Sequence, residues 1–234
     1  MGLYDAIASF YDPWSRSVTE DVDFYVERAL ASGGPVVELA VGTGRIAIPV
    51  ARAGVHVIGV DSSPAMLAVA RVAAEDAGVG ERLDLRLGDL REPPVSERVP
   101  LVVCPFRSLL HMATEAEKLR ALRAAHALLE PDGHFVFDVF APSREDIEET
   151  NGRWLEREPG IFERADWDEK SRTLSLSVRS SNGAATTFGL HWLSAPEWLK
   201  LLDEAELEVE ALYGWFDGRA YDGEEDMVFV TRRR

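Results

Sequence analysis

Along the chain, short runs of nearly all-apolar residues alternate with longer stretches whose apolar residues recur at helical spacing, the pattern of repeated strand–helix units. Thr19 to Ser32 sets Val22, Tyr25, Val26, Ala29 and Leu30 on one helical face. Pro35 to Ala40 reads as a short buried strand running into a glycine turn, Thr43 to Ala53 as a helix stopped by Gly54, and His56 to Val60 as a second strand that delivers Asp61. Ser63 followed by Pro64 is a helix start, an N-cap and then proline at the first helical position, and that helix should end at Gly78. Leu83 to Leu87 alternates as a half-buried strand does, and Val99 to Cys104 is a fourth strand. Thr114 and Glu117 can form a capping box for a helix ending near Pro131-Asp132-Gly133, after which His134 to Phe140 is a fifth strand.

Beyond these units the period changes. Residues 153–192 hold alternating stretches around a Ser181-Asn182-Gly183 turn, which predicts an antiparallel insertion. Ala195 to Ala205 returns to helix, and strands near 207–215 and 226–232 close the chain as a hairpin that should put an antiparallel strand at the sheet edge. The predicted organisation is an N-terminal lid and helix (1–32), a core (33–150), an antiparallel β cap (151–193) and a C-terminal helix with a strand pair (194–234) that completes the core of a single domain. Repeated βα units require a mainly parallel sheet with helices on both faces.

Composition narrows the partners. A formal net charge of −16 argues against a phosphate-backbone ligand, so nucleic acid is not expected, and Arg232-Arg233-Arg234 is a short solubilising tail. No apolar run approaches a membrane span, the N-terminus lacks a secretory pattern, and Ala6 stands where a myristoylation signal wants Ser or Thr. Cys104 is the only cysteine, so neither an intrachain disulfide nor a thiolate metal site is available, and no metal is expected. These features predict a cytoplasmic protein, monomer or homodimer, acting on a small molecule.

Val36 to Arg45 carries the chemistry: a strand, a Gly42-Thr43-Gly44 turn, then a helix. Glycine lets backbone approach a ligand, and a helix N-terminus offers unpaired amides. With Ala47 the segment also satisfies the dinucleotide pattern, so an NAD(P)-dependent oxidoreductase is an alternative. Asp61 at the end of the second strand suits ribose hydroxyls in either case. Gly88-Asp89-Leu90 at the end of the third has no part in the dinucleotide fingerprint, whereas an acid there can take an adenine amino group.

These residues resemble the class I S-adenosylmethionine-dependent methyltransferases: Glu38 to Gly44 their first motif, with Ala40 in a place often taken by glycine; Asp61 to Leu67 their second; Gly88-Asp89-Leu90 their third. The resemblance implies a Rossmann-like seven-stranded sheet and S-adenosylmethionine as cofactor. It puts Gly42 and Gly44 under the methionine part, Asp61 on the ribose, Met66 over the adenine and Asp89 on its amino group, with Glu38, Ala40, Thr43, Arg45, Ser62, Gly88, Leu90, Cys104 and Phe106 completing the cofactor site.

Tyr4-Asp5 and Tyr11-Asp12-Pro13-Trp14 resemble the N-terminal lid of small-molecule N-methyltransferases, among them amino-sugar N,N-dimethyltransferases and glycine N-methyltransferases, and Cys104 to His111 resembles their fourth segment. The resemblance implies methyl transfer to an amine or hydroxyl. Tyr11 could orient the methyl group or acceptor, or simply cover the cofactor; His111 could take a proton, or be a loop residue bonded to backbone. Trp14, Arg107, His191 and Tyr221 are candidates for holding the acceptor. Arg107 departs from the small polar residue usual in the sugar enzymes, and its fork would suit an acceptor bearing an anionic group, or else a salt bridge to a surface acid. A non-catalytic cofactor-binding module is the remaining alternative.

Overall fold

A computed structural model describes residues 4–15 and 17–234. The myristoylation question at Met1-Gly2 and the first three residues of the expected lid lie outside it. Eleven strands named below form two sheets among the described residues. In the first, β1 (Val36–Leu39), β2 (Val57–Asp61), β3 (Leu83–Leu87), β4 (Val99–Cys104) and β5 (Leu129–Ala141) run parallel. With β10 (Leu207–Tyr213) and β11 (Glu225–Arg233) the order is β10-β11-β5-β4-β1-β2-β3. Chain direction reverses its winding between β1 and β4, and ligands of such sheets bind outside the carboxyl ends of the strands at that switch point.

Helices cover both faces. Ser63 caps α4 (Pro64–Asp76), its hydroxyl accepting from the Met66 amide at 3.2 Å, as Ser-Pro predicts. The helix after the glycine turn, α3 (Ala47–Arg52), starts later than Thr43 because the residues from Ala40 to Gly44 include three positive φ values, at Ala40, Gly42 and Gly44, which no α-helix accommodates. In α2 (Glu20–Ser32) the buried residues are Asp21, Phe24, Tyr25 and Ala29, whereas Leu30 points to water. The helix α5 (Glu115–Leu128) is capped by Thr114 and stops before Pro131; β5 takes up the chain at Leu129, with Asp132 in the left-handed region.

The closing hairpin departs from expectation. The antiparallel strand β11 lies between β5 and β10, one place in from the edge. Its Met227 to Val230 are buried on both sides and need two neighbours, while β10 alternates Leu207-Glu208-Val209-Glu210 and can leave one flank in water.

The second sheet is the insertion: β6 (Trp154–Glu158), β7 (Ile161–Asp168), β8 (Thr173–Ser180) and β9 (Ala185–His191) pair antiparallel in that order. Leu174, Val178, Phe188 and Leu190 join the same apolar cluster as Val37, Phe137 and Trp198 of the main body. Two short helices, α1 (Tyr11–Trp14) and α6 (Arg144–Thr150), flank the space between the sheets, and α7 (Ala195–Glu204) leads back to β10.

Gly59, in the middle of β2, has no room for a side chain: a Cβ there would meet Val41 at 2.8 Å and Leu85 at 2.9 Å. Gly59→Ala should therefore lower the unfolding free energy by about 1–3 kcal/mol, seen as a lower urea midpoint at unchanged slope.

Candidate active site

Four strand ends converge at the switch point. After β1, backbone from Ala40 (φ 60°) through Gly42 (φ 56°) turns over a cavity of about 260 Å³, and a Cβ on Gly42 would face open space. After β2, the Asp61 carboxylate accepts from the amides of Gly42 (2.9 Å) and Ser63 (2.8 Å), which ties the first two strand ends together. Burial raises the Asp61 pKa, and those amides oppose the rise. After β3, Gly88 packs so closely on Pro94 that a Cβ would fall 2.3 Å from its ring, which holds Asp89 at the far end of the same cavity.

After β4, Phe106 and Arg107 take consecutive left-handed conformations (φ 57° and 60°), costly for side chains of their size. The Asp138 carboxylate of β5 accepts from both of their amides, at 2.8 and 2.9 Å, and from the Tyr25 hydroxyl of α2 at 2.7 Å. Burial, with Asp21 nearby, pushes the Asp138 carboxyl up to about 6. Arg45 lies over the Phe106 ring with its guanidinium forked on Asp21 at 2.5 and 2.6 Å.

Phe106 is also a wall of a second cavity, about 410 Å³, between the two sheets. Tyr4, Phe106 and His111 line both spaces. The Tyr4 hydroxyl and His111 Nε2 are 2.8 Å apart, while His111 Nδ1 is buried with no partner among the described residues. Burial, with the charge of Lys118 behind it, lowers His111 to about 4, so the ring is neutral at pH 7. Tyr4 and Tyr11 are held protonated by burial. Around the second cavity stand Trp14, Phe140, Trp167, Phe188, Trp215 and Phe216, with the carboxylates Glu20, Asp21, Asp146, Glu163, Glu225 and Asp226 set against Arg107 and Arg157.

Several expected site residues do line the first cavity: Tyr11, Ala40, Gly42, Asp61, Ser62, Met66, Gly88, Asp89, Leu90, Phe106 and His111. Others are near it without lining it. Glu38 and Cys104 are buried in their strands, where burial raises both pKa values. Thr43 turns away to give its hydroxyl to Asp12 at 2.5 Å, and Arg45 is spent on Asp21. Gly44 serves packing: a Cβ would meet Ile48 at 3.0 Å. Trp14 and Arg107 line the second cavity, whereas His191 and Tyr221 do not. His191 lies at the end of β9, near Lys118 and Arg172, and Tyr221 is in the turn between β10 and β11. Arg107 does form the salt bridge, to Asp226 at 2.7 Å. Arg91, Ser108 and Met112 of the first cavity, and Glu163 and Asp138 of the second, are not marked as site residues by the sequence pattern. Asp138 carried a signal, a lone acid inside the apolar run Phe135 to Phe140.

Residues 36–133 match the family described as methyltransferase domain. Over that segment the chain is similar to methyltransferase domains. Its fold is that of the CcbJ methyltransferase from Streptomyces caelestis, with a TM-score of 0.86 and 29% identity over 98% of this chain and 96% of that one. CalS10 of Micromonospora echinaspora, an amino pentose methyltransferase solved with S-adenosylmethionine bound, shares the fold at a TM-score of 0.67 and 21% identity, over 99% and 97% of the two chains. In sequence the chain is 29% identical over 198 residues to the dTDP-3-amino-3,6-dideoxy-α-D-glucopyranose N,N-dimethyltransferase of Streptomyces fradiae, covering 82% of this chain and 69% of the other. The chain spans between 40% and 62% of the length of the first curated relatives it matches. No helix among the described residues is long and apolar enough to cross a membrane.

Lys118 sits fully buried behind His111, its ammonium bonded to the Met112 carbonyl and set over the Trp198 ring. Burial lowers its pKa to about 7 from 10.5. Between those values the unfolded chain binds the proton that the folded chain has lost, so folding gains from this group as pH rises from 7 to 10.5, and that gain is lost as pH falls back to 7. Urea unfolding of the protein and of Lys118→Met at several pH values should show the wild type gaining stability relative to the variant across that window; parallel curves would contradict the burial argument.

Proposed function

We propose that this protein transfers a methyl group from S-adenosylmethionine to an amine of a small molecule. The residues present fit the cofactor. Backbone at Gly42 faces a cavity that ends in Met66 and Asp89, and Asp61 keeps unused acceptor capacity beside the turn. When bound, S-adenosylmethionine supplies an electrophilic methyl carbon; alignment with a nucleophile and exclusion of water then do most of the work.

The observation that carries the amine reading is the make-up of the second cavity, an aromatic chamber in which carboxylates outnumber guanidinium groups. Carboxylates and aromatic faces draw a cationic amine out of water. The dry end at Tyr4, His111 and Phe188 favours the neutral amine, the form that attacks. An amine proton can pass to the Tyr4 oxygen as Tyr4 hands its own to His111 Nε2. The low affinity of that ring for a proton then returns it to water. The anionic acceptor group considered for Arg107 is the weaker reading, since Asp226 already answers that charge. The likeness to an amino-sugar N,N-dimethyltransferase supports an amine on a small molecule without fixing which one.

Incubation with methyl-labelled S-adenosylmethionine and matched panels of small amines and alcohols, read by mass spectrometry, tests the proposal. Labelled N-methyl products are expected. Transfer only to hydroxyls would overturn the amine assignment, and binding of S-adenosylhomocysteine with no transfer to either panel would overturn the activity. With an accepted amine, Tyr4→Phe and His111→Ala should each lower kcat by about a hundredfold or more while leaving cofactor affinity within roughly twofold.

A further inference from the structure

The end of the first cavity farthest from the acceptor chamber is built around an arginine that no motif assigns. Arg91 wraps its own neighbour: its backbone amide and Nε both give hydrogen bonds to Asp89 Oδ1, at 2.8 and 2.9 Å, and its terminal nitrogen gives one to Oδ2 at 2.5 Å. The other terminal nitrogen reaches Glu117 of α5 at 2.6 Å. The guanidinium is therefore pinned from two elements, and it lines the same cavity as Met66, Asp89 and Leu90. Its side chain is 29% exposed and that of Asp89 43%, so the clamp lies at the rim where this cavity meets water.

A carboxylate offers about four acceptor positions. Three are taken by Arg91, two on Oδ1 and one on Oδ2, which leaves one on Oδ2. That vacancy suits a single N–H of an exocyclic amine. The fork removes the rotational freedom with which Asp89 could turn to accommodate anything larger, and the arginine occupies the adjoining rim.

Resting on the assignment of this cavity to S-adenosylmethionine, we propose that Arg91 is a specificity-determining residue of the cofactor site: it fixes Asp89 to receive the unsubstituted adenine amino group and blocks cofactors substituted at that nitrogen. The ligand class is an adenine nucleoside with a free 6-amino group. Loss of the fork should weaken binding of the natural nucleoside modestly, because Asp89 remains, and should relax discrimination strongly, because discrimination depends on what closes the rim.

Calorimetric titration with S-adenosylhomocysteine and with its N6-benzyl derivative separates these effects without any turnover. The wild type should bind S-adenosylhomocysteine and reject the benzyl derivative. In Arg91→Ala the ratio of the two affinities should fall by about tenfold or more, with S-adenosylhomocysteine weakened only severalfold. Arg91→Lys, which keeps the charge and loses the fork, should fall between. Equal binding of both nucleosides by the wild type, or an unchanged ratio in both variants that still bind S-adenosylhomocysteine, would overturn the role of Arg91. A wild type that binds neither would overturn the cofactor assignment beneath it.

Discussion

One buried carboxylate holds the two chambers in relation to each other. Asp138 accepts hydrogen bonds from consecutive amides of Phe106 and Arg107 and from the Tyr25 hydroxyl, joining β5, the turn after β4, and α2. Without such an acceptor, two successive left-handed residues with large side chains would cost on the order of 1–3 kcal/mol each. With it, the Phe106 ring stands as the partition between the two cavities, and Arg107 is set where it meets Asp226. Burying the carboxylate raises its pKa to about 6, so the site keeps this charge against a desolvation penalty that three donors offset.

The rest of the site follows from how the ends of the parallel strands are tied. Asp61 links the turns after β1 and β2, Pro94 presses on the turn after β3, and Arg45 joins Asp21 of α2 to the Phe106 ring. The N-terminal segment then spans the mouth through short polar contacts: Asp5 receives the Ser63 hydroxyl at 2.5 Å, Asp12 that of Thr43, and Trp14 gives its indole N–H to Glu163 of the second sheet at 3.2 Å. Each contact is modest. Together they put Tyr4 against His111 at the passage between the chambers.

Much of this is legible in the amino-acid order because it depends on local chemistry. Glycines in a strand-to-helix turn, Ser63 before Pro64 and the acids at successive strand ends mark positions where only a few residue types work, and the first cavity is lined largely by residues those motifs carry. Other features depend on tertiary partners. Thr43, Gly44 and Arg45 sit within the motif yet serve the lid, the packing of Ile48 and the buried Asp21, contacts made with distant segments. The inner place of β11 is readable only once its all-apolar middle is weighed against the alternating β10. Glu163 and Asp226 line the second cavity through the approach of the second sheet and the closing hairpin, which no spacing along the chain reveals.

A crystal structure with S-adenosylhomocysteine bound tests the two-chamber arrangement most directly. The adenine should lie between Met66 and Asp89, the ribose at Asp61, and the sulfur at the passage bounded by Tyr4, Phe106 and His111, facing the aromatic chamber. A nucleoside bound in the chamber between the sheets, or one whose sulfur points away from that passage, would contradict the account.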